Sequence, residues 1–126
     1  MALVTIVAML AVAEYLFFTM QVGRARMRTD VKAPAVSGNE EFERFFRVQQ
    51  NTVEQLVMFL PSLFAAGWFV GAIYASVVGG AFIVGRGVYY VTYTKDPDKR
   101  GVGMIISLLA NVALVLGGLV GALLSL

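Results

Sequence analysis

The sequence predicts an all-α integral membrane protein, a bundle of four transmembrane helices forming one domain over residues 1–126. Three observations predict it. Mean hydropathy is +0.78, and only 14% of the residues are charged, against about 25% in an ordinary soluble domain. Every charged residue except Glu14 falls in two windows, 24–54 and 86–100. The uncharged stretches between and beyond those windows are long enough for one or two bilayer crossings at about 20 residues each.

The first helix is expected over about 2–27. Segment 2–23 is apolar apart from Glu14 and a few small polar groups, and it lacks the basic start and short apolar run of a signal peptide. The second is expected over about 40–70. Asn39 or Ser37 can cap its start, and Glu40, Glu41 and Glu43 suit the positive end of the helix dipole. Stretch 55–85 carries no charge and is too long for one crossing, so it reads as two spans joined by a turn around Gly67 and Gly71. Trp68, Phe69 and Tyr74 are the interfacial aromatics beside that turn. Counting back from Trp68, residues 42–50 protrude into water, and Pro61 removes a backbone donor and kinks the helix. The third helix runs over about 72–94. The fourth, about 97–125, starts at Asp96-Pro97, a capping Asp followed by Pro at the first helical position, which puts Arg100 on its first turn.

Four crossings place both termini on one side and both charged windows on the other. All ten Lys and Arg residues lie in those windows, so the windows are expected in the cytosol. Small residues recur four apart at Gly67/Gly71, Ser76/Gly80 and Gly117/Gly121, which lets helices approach closely in lipid, within a bundle or an oligomer.

The chain has no Cys and no His. That excludes disulfides, thiolate or imidazole metal sites and any nucleophile built on those residues, so no metal is expected. A thiol, if one is used, arrives on a ligand. A net charge of +2 gives no reason to expect nucleic acid. On a helix, Arg47, Asn51 and Glu54 share one face, and Gln49 points roughly 200° away from Arg47, toward another element or another chain. Arg86, Tyr89, Tyr90 and Tyr93 lie within two turns at similar depth, and Arg100 follows. Two readings fit these residues alone. They line a basic, tyrosine-walled pocket at the inner interface; or Arg47 and Arg100 are snorkelling anchors, Arg86 partners Glu54, and the tyrosines belong to an interfacial belt.

The run Gly38-Asn39-Glu40-Glu41-Phe42-Glu43-Arg44 leading into Arg47-x-Gln49-x-Asn51-x-x-Glu54 resembles the membrane-associated glutathione and eicosanoid proteins, the MAPEG family. So does Arg86-x-x-Tyr89-x-x-x-Tyr93 followed by Arg100. The resemblance covers nearly the whole chain. It implies a homotrimer that binds glutathione between subunits at the inner membrane surface. Arg47, Asn51, Glu54, Tyr89, Tyr93 and Arg100 would come from one chain, and Arg26 and Gln49 from its neighbour. The implied roles are Arg26 and Arg47 on the two carboxylates of glutathione, Glu54 on its ammonium, and Arg100 beside the sulfur as the catalytic residue. Two positions depart from the family's leukotriene-forming members: Met27 replaces a second arginine, and Gln55 replaces a tyrosine. The expected activity is therefore a glutathione transferase or peroxidase acting on lipophilic electrophiles or hydroperoxides dissolved in the membrane.

Two other readings compete. One is a non-catalytic member of the same family that binds glutathione or lipid as a scaffold. The other is a small proton-coupled multidrug transporter using Glu14, an intramembrane carboxyl; in the structural alternative Glu14 is hydrogen-bonded, for instance to Asn111. The short loops and the lack of a retention tail favour a bacterial inner membrane over the endoplasmic reticulum.

Overall fold

A computed structural model describes all 126 residues. Four helices make up almost the whole chain: α1 (Ala2–Thr29), α2 (Glu40–Phe69), α3 (Ala72–Tyr93) and α4 (Gly101–Leu124), with a short 3-10 turn at Pro97–Lys99 before α4. There are no strands, and all four helices are long and apolar enough to cross a membrane. Helix α2 packs against each of the other three, α3 lies along α4, and α1 sits on α2 and α3 while barely touching α4.

The ends of these helices follow from local chemistry. Helix α1 stops at Asp30, whose left-handed backbone (φ 55) cannot continue it; a short polar side chain tolerates that geometry better than most. The Asn39 side chain caps α2 by accepting from the Phe42 N–H at 3.1 Å. At the other end, the N–H groups of Val70 and Gly71 both close on the Ala66 carbonyl. Gly71, at φ +146, makes the turn that a residue with a Cβ would resist. Gly67 is not part of that turn. It lies inside α2, where an added Cβ would meet Val4 of α1 at 2.9 Å. Asp96 does act as a cap, accepting from Asp98 N–H, but the turn it starts is 3-10. Arg100 is thus the residue at which α4 begins rather than one inside its first turn.

Lipid tails are as apolar as leucine, so close packing rather than water exclusion holds such helices together. The core is accordingly built of small residues around stacked rings. Phe59 and Phe82 stack at 4.0 Å, flanked by Val4, Ala8, Ala11, Ala66 and Ala75. Gly117 and Gly121 do serve as close-approach positions, receiving Tyr74 and Phe69. Gly80 instead faces open space. Gly103 is the tightest crossing: a Cβ there would stand 2.5 Å from the Tyr89 backbone nitrogen. That contact locks the start of α4 against the part of α3 that bears the tyrosines. Only 28–39% of each spanning segment is buried in the chain, and the outer faces of α1 and α4 are rows of exposed Leu, Ile and Val.

Candidate functional site

Arg86 lies in the interior of the bundle and is 1% exposed. A guanidinium there is tolerable only if its donors find acceptors, and two neighbouring helices supply them. Its Nε donates to Ser107 Oγ of α4 at 2.9 Å, and its Nη1 donates to Asn51 Oδ1 of α2 at 2.6 Å and to Thr52 Oγ1 at 3.3 Å. Its charge also sits over the Tyr89 ring at 4.6 Å. Arg86 is therefore not the partner of Glu54. It is a brace that fixes Asn51 and Tyr89 relative to each other.

Above this brace the expected residues gather on one side. Tyr89 is buried and its ring stacks on Tyr93 at 5.2 Å. Arg100 stands at the start of α4, whose Gly103 packs directly on the Tyr89 backbone. Arg47 and Glu54 form a loose pair at 3.9 Å, with both side chains more than half exposed. An exposed ion pair of this kind contributes at most about 1 kcal/mol, so both groups are free to exchange each other for a ligand of matching charge. Asn51 is buried and its Oδ1 is committed to Arg86, while its Nδ2 has no partner within the chain.

Two of the expected residues stand apart. Gln49 does point off the Arg47 face, and its Nε2 donates to Thr19 Oγ1 of α1 at 3.1 Å. Arg26, in the last turn of α1, donates to the Ala35 carbonyl at 2.7 Å and lies over the Phe42 ring. It is held by its own loop. Arg44, another basic residue of the first window, reaches the carbonyls of Thr94 and Lys95. It thereby ties the foot of α2 to the C-terminal end of α3, where a cation complements the dipole.

Glu14 does not bond to Asn111. Its Oε1 is buried without a partner, and its Oε2 lies close to Gly87. Asn111 instead donates from Nδ2 to Gln55 Oε1 at 2.7 Å. No cluster of three carboxylates capable of holding a metal is present. Neither the Arg86 network nor the Gln55–Asn111 bond follows from the sequence pattern. The available signal was that Arg86, Thr52, Ser107 and Asn111 are polar residues inside otherwise apolar spans, each needing a partner at its own depth.

A groove of about 330 Å³ opens beside the network, lined by Gln55, Arg86, Gly101, Met104, Ile105 and Leu108. Arrayed this way, the chain offers two exposed charges of opposite sign, a donor amide, a tyrosine pair and an arginine at the head of an apolar furrow. The chemistry suits a small zwitterionic ligand with an apolar co-reactant.

The family model described as MAPEG matches residues 4–120. The chain is 39% identical over 119 residues to microsomal glutathione S-transferase 2 of Homo sapiens, covering 94% of this chain and 81% of that protein. It is also 39% identical to an uncharacterised Synechocystis protein, covering 94% of this chain and 86% of the other. With the leukotriene C4 synthase of Rattus norvegicus it shares 35% over 99 residues, 79% of this chain and 66% of the synthase.

Proposed function

The chain belongs to the MAPEG family, and from that premise we propose that it is a membrane-bound glutathione transferase that holds glutathione as a thiolate for attack on lipophilic electrophiles. Hydroperoxide reduction at the same site is the second activity. The observation that carries this reading is the exposed Arg47–Glu54 pair beside the Tyr89–Tyr93 stack, which rests on the buried Arg86 brace, with Arg100 at the start of α4. Relatives named for glutathione transfer support glutathione as the co-substrate.

The residues fit that ligand. Glutathione carries two carboxylates and one ammonium, and the exposed Arg47 and Glu54 match one of each. Binding replaces their loose mutual contact with charge-assisted bonds, which are roughly twice as strong as neutral ones. Asn51 Nδ2 and the tyrosine hydroxyls remain as neutral donors. Arg26 and Gln49 complete the set in a homotrimer, where each pocket lies between neighbouring chains. The exposed apolar faces of α1 and α4 are consistent with subunit contact there.

Arg100 sits where α4 begins and is exposed, next to Gly101 at the edge of the groove. Keeping a thiol ionised at about two pH units below its usual range takes about 2.7 kcal/mol. One guanidinium about 4 Å from the sulfur supplies about 4 kcal/mol at an effective dielectric near 20. A single arginine suffices, which accounts for a site without histidine. The proton lost from the thiol goes to water at the cytosolic surface. The thiolate then attacks an electrophile that enters the groove from the lipid.

The test is conjugation by the purified protein in lipid nanodiscs. The wild type is expected to form the glutathione thioether of 1-chloro-2,4-dinitrobenzene. Arg100→Ala should lose at least about a hundredfold in kcat, the usual effect of removing one transition-state charge partner, while still binding glutathione. Binding without any conjugation by the wild type would favour a non-catalytic scaffold.

A further inference from the structure

The groove beside Arg100 is apolar except for Arg86 and Gln55. Arg86 is almost wholly buried, with its Nε and Nη1 already engaged. Gln55 is only half-buried, and its amide is pinned at one end: Oε1 accepts from Asn111 Nδ2 at 2.7 Å. Its Nε2 has no partner within the chain. With the oxygen held, that NH2 group is left to donate into the groove, beside the Arg86 Nη2, which makes no hydrogen bond within the chain.

Asn111 makes this arrangement expensive. It is 2% exposed, and its Oδ1 is buried with no hydrogen bond. An orphaned acceptor destabilises the fold, whereas an apolar residue of similar size would pack without that penalty. What Asn111 provides in return is the orientation of Gln55. It also lines a second apolar hollow of about 170 Å³ with Met58 and Val115, and the two cavities share Leu108 as a common wall. The furrow thus runs from Gly101 toward the middle of α4, with the Gln55 amide as its neutral donor beside the Arg86 guanidinium and room for a chain beyond.

We propose that Gln55 is a specificity-determining donor to the oxygen of the electrophile, that Asn111 is its positioning residue, and that together they select lipophilic α,β-unsaturated carbonyl compounds. The inference rests on the reading above that the thiolate lies beside Arg100. In the reaction the sulfur forms a bond to the β-carbon, the C=C pair shifts toward the carbonyl, and the enolate oxygen takes up negative charge. Gln55 Nε2–H donates to that oxygen as the charge develops. The α-carbon then takes a proton from water, balancing the one released when glutathione ionised. A donor aimed at developing charge accelerates such a step, while it does nothing for an alkyl halide that carries no oxygen.

The experiment compares kcat/KM for trans-2-nonenal and for benzyl chloride, with glutathione, in the wild type, Gln55→Leu, Gln55→Met and Asn111→Leu. The ratio of nonenal to benzyl chloride should fall at least tenfold in both Gln55 variants and at least threefold in Asn111→Leu. Asn111→Leu should also unfold no more readily than the wild type. A purely structural role would lower both rates together, so an unchanged ratio overturns the proposal, as does a wild type that uses benzyl chloride but not nonenal. The ratio is read whatever ionises the thiol. A wild type without a thiolate signal therefore removes the role of Arg100, while the ratio still decides the role of Gln55.

Discussion

Arg86 is a cation buried among apolar helices, and its surroundings explain how it persists there. Three side chains from α2 and α4 accept from its Nε and Nη1, and a tyrosine ring lies against one face. A lysine would bring three donors from one point instead of a planar fork. Arg86→Lys is therefore expected to leave Asn51 or Ser107 unsatisfied and to lower stability by at least about 2 kcal/mol. Calorimetry should also show more than tenfold weaker glutathione binding, because Asn51 and Tyr89 lose their common brace. Affinity equal to the wild type would contradict that role. At this scale part of the candidate site's geometry is legible in the sequence. Arg47, Asn51 and Glu54 share a helical face through simple periodicity, and the i, i+4 spacing of Tyr89 and Tyr93 brings their rings together. The bonds of Arg86, Gln55 and Asn111 were not legible, because each joins helices far apart in sequence and depends on relative depth, which periodicity does not encode.

Helices α3 and α4 are held at one crossing by the absence of a side chain. An alanine at Gly103 would press on the backbone of Tyr89, which cannot rotate aside as a side chain can. Gly103→Ala is expected to cost about 1–3 kcal/mol and to weaken glutathione binding by displacing the tyrosine pair. Thermal unfolding and calorimetry measure the two effects. Gly80→Ala meets open space and should be neutral or stabilising by up to about 1 kcal/mol, since alanine favours the helix; a comparable loss at both positions would contradict the packing argument. Helix ends fall where charge and hydropathy change sharply, as at Thr29, Glu40 and Tyr93, whereas α4 begins at Gly101, four residues beyond the Pro97 that the sequence suggests. The errors arose where local rules compete. Gly67 looked like part of the turn but is a helix-crossing residue, and Asp96-Pro97 started a 3-10 turn before α4.

Across the whole molecule, the charged residues collect at one end of the bundle: the α1–α2 loop, the foot of α2, and the α3–α4 turn. Since the chain has no cysteine, single-cysteine labelling reads its topology directly. Asp98→Cys is expected to react with an impermeant reagent from the cytosolic side, and Leu126→Cys from the opposite side. Labelling of both from one side would contradict four crossings. The same end carries Arg47, Glu54, Tyr93 and Arg100, so the proposed function puts the ligand chemistry at that rim and the lipophilic partner in the furrow along α4.

The central claim is that Arg100 holds glutathione as a thiolate. Ultraviolet difference spectroscopy of the purified protein with glutathione, near neutral pH, tests it most directly. The account predicts a thiolate absorbance band in the wild type that disappears in Arg100→Ala while binding persists. A wild type that binds glutathione by calorimetry yet shows no such band would contradict it.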